Sequence, residues 1–267
     1  MTMPPSALIL PRLRSALAGQ SVGHEIHWYE ECGSTNDIVR DLGLRGFPHG
    51  VVVFSECQTN GRGRRGNQWQ TPPRQSLLFS VLLRPAFDAS QWPQLTLMAA
   101  LAVCNSLDAF SPEPPTIKWP NDVYLEGRKI AGLLAETIWQ GGVGGFVTLG
   151  IGLNVHQTAA DFDPAYRQSA TSLKMATGGQ WIDRTAVAVA VLKQLGELLP
   201  VAVNSFPACL GEIRRRSLLL GRPVRALTEE GEITGVANAL DDDGRLVLQC
   251  GSGERKVLHT VEQIRLI

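Results

Sequence analysis

The feature that most constrains this chain is the segment 58–69, which contains three glycines and three arginines in six consecutive residues and ends in a tryptophan. An apolar, strand-like run precedes it at 51–54, and a second follows it at 77–83. Glycine allows positive φ angles and a close approach of ligand to backbone. Arginine offers a planar, permanently charged donor fork that suits carboxylate and phosphate. The pattern predicts an anion-binding loop held between two core strands of a rigid sheet.

Three other interpretations of this loop compete. Gly61, Gly63 and Gly66 match the dinucleotide pattern G-x-G-x-x-G, but that pattern must open a helix, and here prolines and then a strand follow. Nucleic-acid binding is disfavoured because 25 basic residues balance 25 acidic ones, which leaves little long-range attraction for a polyanion. A purely solvated surface loop is disfavoured by Trp69 and by the strands on both sides.

Length and composition indicate a globular protein with one large and one small domain. The chain has 267 residues, of which 44% are apolar. No apolar run approaches the ~20 residues of a membrane span, and the run at 7–10 is cut by Pro11 and Arg12, so no secretory signal is expected. The five cysteines are scattered and form no C-x-x-C pair. This argues against disulfides or a zinc site and fits a reducing cytoplasm.

The hydrophobic patterns predict a mixed sheet flanked by helices in a first domain, 1–216. Helices are expected at 6–18, after Ser34 or Thr35 as far as Gly46, at 91–109 after Ser90, at 183–199 after Asp183, and at 204–216. Strands are expected at 25–30, 51–54, 77–83, 117–125, 128–136 and 146–154, with hairpin turns at 126–127 and 141–145.

Two short patterns in these elements leave their role open. The hydroxyls of Ser34 and Thr35 either cap a helix or face a ligand. Gly150 and Gly152 lie two apart and therefore face one side of their strand. That bare face suits either a ligand that approaches the backbone or a helix that packs tightly.

From residue 217 the composition changes to short apolar strands separated by the turns 229–231, 241–244 and 251–253. This spacing predicts a small β-barrel of ~50 residues as a second domain, 217–267. The expected fold class is therefore α+β: a mixed β-sheet domain flanked by helices, with a small β-barrel at its C-terminal end.

Three motifs in this order resemble those of biotin–protein ligases. They are the glycine-arginine loop 61–66 with Trp69, the segment Lys118-Trp-Pro-Asn-Asp122, and the segment Arg128-Lys-Ile-Ala-Gly-Leu-Leu134. The resemblance covers 25–267 and implies an SH3-like barrel at the C-terminus. Since few residues precede the first core element, the chain resembles the single-function class, which lacks an N-terminal DNA-binding domain.

The resemblance implies a ligase that joins biotin and MgATP into biotinyl-5′-AMP with release of pyrophosphate. Biotin then passes to a lysine of a carrier domain, such as that of acetyl-CoA carboxylase. Biotin and ATP are therefore the expected substrates, Mg²⁺ the expected metal, and biotin carboxyl carrier protein the expected partner. Neither DNA nor a membrane is an expected partner. A cytoplasmic location is expected, and a homodimer is compatible with the resemblance.

The positions that match the family motifs give the candidate site residues. The biotin-binding candidates are Ser34, Thr35, Asn36, Gln58, Gly61, Arg62, Gly63, Arg64, Lys129 and Gly132. The nucleotide-binding candidates are Arg65, Trp69, Asn121 and Asn154, and the catalytic candidates are Lys129, Arg64 and Asp122. Asp122 is also a candidate for holding Mg²⁺ or for receiving the proton of the acceptor lysine. Asn67 stands where family loops often carry a basic residue.

The chemistry of these residues suits the implied reaction. A carboxylate must meet an α-phosphate, so positive charge must be placed at the reacting atoms in advance. Arg62, Arg64, Arg65 and Lys129 can supply that charge. The ureido ring of biotin is a neutral set of donors and acceptors, which hydroxyl and amide side chains match.

Three rival functions remain at the level of sequence. A lipoate–protein ligase would share the adenylate chemistry, although the arginine loop and the C-terminal β unit favour biotin. A nucleic-acid-binding module would show affinity that falls steeply with salt. A catalytically silent biotin sensor is disfavoured because Arg62, Arg64, Asp122 and Lys129 occur together.

Overall fold

The computed structural model describes the backbone of residues 7–140, 144–251 and 253–267, and the side chains of all of these except residues 140, 144 and 199–205. The described elements form a seven-stranded sheet with helices, followed by a five-stranded C-terminal sheet. The expected α+β class with a mixed sheet is confirmed. The turn predicted at 141–145 falls mainly outside the described residues.

The large sheet carries every strand predicted for the first domain. Its strands are β1 Ile26–Tyr29, β2 Val52–Ser55, β3 Ser76–Leu83, β4 Thr116–Lys118, β5 Asp122–Leu125, β6 Arg128–Gln140 and β7 Gly144–Asn154. The spatial order is β1-β2-β3-β7-β6-β5-β4; β1 and β2 are parallel, and the other neighbours are antiparallel. The predicted run 117–125 is divided into β4 and β5 by a turn at 119–121.

The helices of the described chain are α1 Leu10–Leu17, α2 Thr35–Leu44, α3 Gln94–Leu107, α4 Leu173–Ala176 and α5 Arg184–Arg215. Helix α2 follows Ser34 and ends before Gly46, whose φ of +85° is the left-handed conformation typical after a helix C-terminus. All eight residues of β3 are buried, because helices or loops cover both of its faces.

The predicted helix cap at Ser90 is wrong. Asp88 caps a short 3-10 turn, Ala89–Gln91, by accepting a hydrogen bond from the Ser90 backbone N–H at 2.8 Å. Helix α3 begins only at Gln94. The separate turn arises because Trp92 is buried and its indole N–H donates to the carbonyl of Phe87 at 3.1 Å, which fixes the chain before the helix starts.

The two helices predicted at 183–199 and 204–216 are one continuous helix, α5, so their separation is wrong. Asp183 caps the helix, as predicted, by accepting from two backbone N–H groups. Both halves bury apolar side chains in the same core, for example Val187 in the first half and Leu210 in the second. Burial of this shared face outweighs the break that the proline between the two predicted helices favours locally.

A buried ion pair ties the start of the chain to the sheet. The side chains of Glu56 and Arg184 are 0% and 2% exposed, and their charged atoms lie 2.6 Å apart. Glu56 also accepts from the backbone N–H of Leu8 at 2.8 Å, and Arg184 donates to the carbonyl of Ser76 at 2.7 Å. Because an unpaired buried charge is strongly unfavourable, this pair fixes the N-terminal segment and α5 against β2 and β3.

The C-terminal unit is an antiparallel sheet of β8 Pro223–Thr228, β9 Gly231–Leu240, β10 Leu246–Gln249, β11 Arg255–Leu258 and β12 Gln263–Leu266. Its order is β11-β10-β9-β8-β12. The inward residues of β8 and β10, such as Val224 and Leu246, join the same hydrophobic core as the large sheet. The predicted C-terminal β unit is therefore present, and its described pairing runs between two edges instead of closing into a barrel.

Among the described helices, none combines the length and the apolar character needed to cross a lipid bilayer.

Candidate functional site

A cavity of about 1340 Å³ lies between the large sheet and the C-terminal sheet. Its walls come from four places: the start of α2, the loop 62–72, the corner 118–124, and the segment 161–170. Residues 261–265 of the C-terminal sheet complete the wall. Binding pockets for small molecules usually measure ~300–1,000 Å³, so this cavity is larger than a typical pocket for one small ligand.

The floor of the cavity is made of glycines on the two longest strands. Gly132 of β6 and Gly152 of β7 are direct cross-strand partners. A Cβ atom on Gly152 would lie 2.6 Å from the ring of Trp69, and one on Gly150 would lie 2.5 Å from the side chain of Asn36. Of the two options left open for Gly150 and Gly152, close packing is observed, since these glycines admit side chains from α2 and from the loop. Both glycines also line the cavity, and the approach of a ligand to them stays a prediction.

One end of the cavity is lined by neutral hydroxyl and amide groups. Ser34 and Thr35 make no side-chain cap to α2, so the capping interpretation is wrong for both. The backbone N–H of Thr35 donates to Oε1 of Gln58 at 2.7 Å. The Thr35 hydroxyl lies 2.7 Å from the hydroxyl of Ser80. Ser34 and Thr35 both line the cavity, which agrees with the ligand-facing alternative, and that alternative stays a prediction.

The glycine-arginine loop is a compact turn whose ends pair with each other. The N–H of Trp69 donates to the carbonyl of Gly61 at 2.9 Å, and the N–H of Gly63 donates to the carbonyl of Asn67 at 2.7 Å. Arg65 has a φ of +55° and Gly66 a φ of +76°. Gly61 is required here because a Cβ atom would lie 2.4 Å from the carbonyl oxygen of Trp69.

The three arginines of the loop reach three different parts of the molecule. Arg62 forms a two-pronged ion pair with Asp37 of α2 at 2.7 and 2.8 Å, and these hydrogen bonds lower the pKa of Asp37. Arg65 turns to the C-terminal sheet and pairs with Glu262 at 3.3 Å. Arg64 donates to Asn121 at 3.1 Å and to the hydroxyl of Thr260 at 2.7 Å.

Arg64 differs from the other two arginines in its partners. In the described structure its hydrogen bonds go to neutral groups: Asn121, Thr260 and the carbonyl of Val261. Burial, together with the charge of Arg65, lowers its pKa. A half-buried guanidinium without a carboxylate partner attracts an anionic ligand more strongly than a neutralised one.

Two lysines form a cationic end to the cavity. The ammonium of Lys129 lies 2.7 Å from Asp122 and 5.6 Å from the ring centre of Trp69. Lys118 lies over the ring of Tyr124 at 5.1 Å and donates to its hydroxyl at 3.3 Å. Burial lowers the pKa of Lys118, and the charge of Lys129 acts in the same direction. Burial also raises the pKa of Tyr124 to about 12.

The backbone around Lys129 is fixed by a short bridge to the segment 161–170. The N–H of Lys129 donates to the carbonyl of Ser169 at 2.7 Å, and its carbonyl accepts from Thr171 at 2.9 Å. This bridge places Phe162 and Tyr166 at the wall of the cavity. Tyr166 is 61% exposed, so the wall ends in an aromatic side chain that solvent reaches.

The two asparagines assigned to the nucleotide side use part of their amides within the protein. Asn121 donates to the carbonyl of Leu133 at 2.9 Å and accepts from Arg64. Asn154 donates to the carbonyl of Thr171 at 3.0 Å and accepts from Gln157 at 2.9 Å. Both line the cavity, and these bonds hold their oxygen atoms in fixed positions.

The structure brings most of the predicted residues to this one cavity. The predicted residues in its lining are Ser34, Thr35, Asn36, Gln58, Arg62, Gly63, Arg64, Trp69, Asn121, Asp122, Lys129, Gly132 and Asn154. Gly61 lies beneath Trp69, and Arg65 faces Glu262 instead of the cavity. Lys118 and Arg265 also line it and were missing from the predicted set. Lys118 stands in the Lys-Trp-Pro-Asn-Asp motif, whereas Arg265 has no local signal in the sequence.

The side chains of the cavity suit a metal ion that binds together with a nucleotide. In the described parts of the chain, no group of three or more His, Cys, Asp or Glu side chains is placed to hold a metal ion. Mg²⁺ is commonly held by one or two carboxylates together with substrate phosphates and water. Asp122, at the cationic end of the cavity, fits that arrangement as a single carboxylate.

Comparison with known proteins agrees with this geometry. The model of the Biotin/lipoate A/B protein ligase family matches residues 29–154, and the model of the Biotin protein ligase C terminal domain matches residues 219–260. The first match covers the glycine-arginine loop, the corner 118–124 and β7, which carries Gly150 and Gly152. The second match covers most of the C-terminal sheet. Together they define a class of ligases that act on biotin or lipoate.

Individual relatives narrow this class. The chain is 36% identical to the biotin–[acetyl-CoA-carboxylase] ligase of Mycobacterium tuberculosis over 90% of this chain and 89% of that protein. It is 31% identical to the bifunctional ligase/repressor BirA of Bacillus spizizenii over 95% of this chain and 78% of that protein. The structure of the Aquifex aeolicus biotin protein ligase in complex with biotin and ATP superimposes with a TM-score of 0.78 at 31% identity, over 91% of this chain and 99% of that one. The chain belongs to the biotin protein ligase family.

Proposed function

We propose that this protein is an ATP-dependent biotin–[biotin carboxyl-carrier protein] ligase. It forms biotinyl-5′-AMP from biotin and ATP, and it transfers biotin to a lysine of a carrier domain such as that of acetyl-CoA carboxylase. The observation that carries this proposal is the polarity of the cavity, which has neutral hydroxyl and amide groups at one end and Arg64, Lys118 and Lys129 at the other. The named ligase activity of the relatives supports it.

In the first step the carboxylate of biotin attacks the α-phosphorus of ATP, a P–O bond forms, and pyrophosphate leaves. The reaction brings anions together, so catalysis depends on cations that are already in place. We assign this role to Lys129 and Arg64, with Lys118 on the nucleotide side. Lys129, Arg62 and Arg65 each have a carboxylate partner, namely Asp122, Asp37 and Glu262. Arg62 and Arg65 hold the loop through these pairs, and they remain assigned to biotin and to the nucleotide, respectively. When bound, Mg²⁺ would offset phosphate charge beside Asp122.

In the second step the amine of the acceptor lysine attacks the acyl carbon of the adenylate, and AMP leaves. The attacking amine must lose a proton. Asp122 is a candidate acceptor because it lines the cavity next to Lys129, which lies 2.7 Å away. Trp69 and Asn154 are assigned to the nucleotide, and Ser34, Thr35, Asn36 and Gln58 to the head of biotin.

The proposal also covers the C-terminal domain, the cellular location and the oligomeric state of the protein. The C-terminal sheet would form an SH3-like barrel, which the alternating burial of β8 and β10 supports. The domain boundary would fall between 216 and 217. The five free cysteines support a cytoplasmic location. The net charge of zero supports a partner other than DNA. A homodimer would form along an edge of the large sheet, and sedimentation velocity tests it.

The test of the activity is ATP–pyrophosphate exchange by the purified protein with biotin or lipoate added in turn. We expect exchange with biotin, and its loss in Lys129→Ala. Lys193→Ala is the matched control, because Lys193 is an exposed residue of α5. Exchange with lipoate alone would assign the protein to the lipoate ligases. Tight biotin binding without exchange would mean a sensor.

A further inference from the structure

A continuous series of short polar contacts runs behind the neutral end of the cavity. It starts at Glu136, whose carboxylate lies 2.6 Å from Nδ2 of Asn36. Oδ1 of Asn36 lies 2.6 Å from the hydroxyl of Ser80. The hydroxyl of Ser80 lies 2.7 Å from that of Thr35, which in turn lies 3.1 Å from Oε1 of Gln58. Ser80 and Glu136 themselves are not part of the cavity lining.

The orientation of Asn36 is fixed by its acceptors. A carboxylate only accepts hydrogen bonds, so the amide nitrogen of Asn36 must face Glu136. The same nitrogen also faces the carbonyl of Leu134 at 3.4 Å. The amide oxygen therefore points to Ser80, and Ser80 must donate its single hydroxyl proton to it.

The remaining proton is then assigned by counting. Three oxygen–oxygen contacts, at 2.6, 2.7 and 3.1 Å, follow one another from Asn36 to Gln58. Only the hydroxyls of Ser80 and Thr35 bring protons to them. Ser80 donates to Asn36. The single hydroxyl proton of Thr35 has two acceptors within reach, Ser80 at 2.7 Å and Oε1 of Gln58 at 3.1 Å, and we assign it to the shorter contact. The contact at 3.1 Å between Thr35 and Gln58 has no proton.

The orientation of Gln58 does not supply that missing proton. The backbone N–H of Thr35 donates to Oε1 of Gln58 at 2.7 Å, which keeps this oxygen toward Thr35. Two acceptor atoms, Oγ1 of Thr35 and Oε1 of Gln58, therefore lie 3.1 Å apart at the wall of the cavity. Adjacent acceptors repel each other and are stabilised by a donor that bridges them.

We propose that Glu136 and Ser80 set the hydrogen-bond polarity of this end of the cavity, so that Thr35 and Gln58 act as a paired acceptor for one N–H group of a ureido ring. This inference rests on the proposed function and deepens it. Glu136 and Ser80 are positioning residues, which act through Asn36 and Thr35. The site would select a cyclic urea over a ring that places an acceptor, or no polar group, at the same point.

The probe that tests this polarity is a pair of cyclic carbamate analogues of biotin, in each of which one ureido N–H is replaced by a ring oxygen. In the wild type, one of the two analogues should bind at least ~100-fold more weakly than biotin, because a ligand acceptor would face two protein acceptors. Calorimetry or competition against biotin measures the ratio of the two dissociation constants.

Two substitutions should reverse or relax the polarity. Ser80→Ala leaves the Thr35 proton free to point into the cavity. In Glu136→Gln the new amide can donate, so Asn36 can rotate and the direction of every hydrogen bond in the series can reverse. The same change weakens the contact of Glu136 with Arg62, which is 3.6 Å long, and this affects biotin and carbamate alike. In both variants we expect weaker biotin binding, tighter binding of the disfavoured carbamate, and a biotin-to-carbamate ratio reduced about tenfold. The affinity for ATP should not change.

Matched controls separate polarity from general damage. Ser106→Ala removes another buried serine hydroxyl, which donates within α3 to the carbonyl of Ala102. Glu126→Gln changes a carboxylate in the β5–β6 turn that pairs with Arg128. Both should keep the wild-type ratio. A merely structural role for Ser80 or Glu136 would weaken biotin and carbamate equally, and an unchanged ratio in both variants would overturn the proposal.

Failure of this inference can be told apart from failure of the proposed function. If the wild type binds biotin and rejects one carbamate but gives no biotin-dependent pyrophosphate exchange, the polarity holds and the ligase activity does not. If exchange occurs with biotin but both carbamates bind as tightly as biotin, the polarity is wrong and the ligase activity stands. Absence of any biotin binding would overturn both.

Discussion

At the scale of single residues, Arg64 joins the loop to two other parts of the cavity wall. It contacts Asn121 on one side and Thr260 on the other. An arginine in this position can hold the loop over a bound adenylate, which is a reactive mixed anhydride. We therefore expect retention of the intermediate to depend on this side chain.

The change that tests this role is Arg64→Gly. We expect about tenfold or more faster release of biotinyl-5′-AMP, since charge-assisted hydrogen bonds each contribute about 1.5–3 kcal/mol. The released adenylate should label lysines of an unrelated protein such as serum albumin. Blotting with streptavidin measures this labelling. Arg222→Gly, at an exposed position before β8, should leave it at the wild-type level, and carrier-restricted labelling by Arg64→Gly would contradict the role.

Gly152 limits the cavity floor by the absence of a side chain. In Gly152→Ala the new Cβ atom would lie 2.6 Å from the ring of Trp69, so the indole must move off the sheet. We expect ligand affinity to fall about tenfold or more, because overpacking costs about 1–3 kcal/mol. Calorimetric titration of ATP measures the loss, because Trp69 is assigned to the nucleotide. Gly251→Ala is the control, since a Cβ atom there meets nothing within 4 Å. Equal affinity in the two variants would show that Trp69 does not define the floor.

The residues of the motifs could be predicted from the sequence, whereas the residues that hold them in position, such as Ser80 and Glu136, could not. The loop, the corner and the glycine strand stand out locally, and nearly all of their candidate residues reach one cavity. Ser80 and Glu136 carry no local signal, because each acts on Asn36 across 44 and 100 positions of the chain, respectively. Such contacts exist only once β3 and β6 are placed on either side of β7.

At the scale of secondary-structure elements, the arginine loop is fixed to α2 on one side and to the C-terminal sheet on the other. Arg62 pairs with Asp37, and Arg65 pairs with Glu262. Both pairs are partly exposed, so each contributes modestly, about 0–1 kcal/mol, to overall stability. Their main effect is local, because they hold the loop in one conformation.

This local effect can be measured with trypsin, because the loop contains three arginines. In Asp37→Ala, Arg62 loses its two-pronged partner, and we expect cleavage within the loop to become up to about fivefold faster, as a local loss of about 1 kcal/mol predicts. The midpoint of global unfolding should change little. Glu113→Ala, at an exposed loop position, is the control. Identical cleavage rates in Asp37→Ala and wild type would mean that the pair does not order the loop.

The elements themselves were predictable where burial and local pattern agree. The apolar runs predicted the strands of the large sheet, and Gly46 predicted the end of α2. The split of α5 and the cap at Ser90 were mispredicted for one shared reason. Tertiary packing, of the α5 face in one case and of Trp92 in the other, outweighed local preferences that the sequence displays.

At the scale of the whole molecule, the hydrophobic core is continuous from the large sheet to the C-terminal sheet. The sequence predicted two units from the change in composition near residue 217, but it did not show that both units share a core. Side chains such as Leu246 and Leu101, which are distant in the chain, belong to the same buried cluster. This continuity explains how residues 261–265 are held at the cavity wall, and it means that stability is a property of both sheets together.

The dependence of that stability on pH follows from two partly buried histidines. Burial is the main cause that lowers the pKa of His49, and nearby His24 and Arg84 act in the same direction. Burial likewise lowers the pKa of His156, against the opposing effect of its hydrogen bond to the carbonyl of Ile182. Both imidazoles therefore favour the neutral form in the folded state.

Because both histidine pKa values are lowered by folding, the free energy of unfolding must decrease as the pH falls. The unfolded chain takes up protons at the ordinary histidine pKa of about 6.5, whereas the folded chain does so only at lower pH. The unfolded state therefore binds more protons in that interval. The contribution of these histidines to stability is complete above pH ~6.5 and is lost as the pH falls through their lowered pKa values. The loss is about 1.4 kcal/mol for every tenfold difference in proton affinity between the unfolded and folded states.

Urea unfolding at pH 7.5 and at pH 5.5 measures this loss, and His49→Asn assigns part of it. Nδ1 of His49 accepts from the backbone N–H of Arg84 at 3.1 Å, and the oxygen of asparagine can accept the same bond without titrating. We expect the variant to lose less stability than the wild type between the two pH values. His259→Asn, at an exposed position, should lose as much as the wild type does. A His49→Asn profile that coincides with the wild type would show that protonation of His49 does not couple to folding.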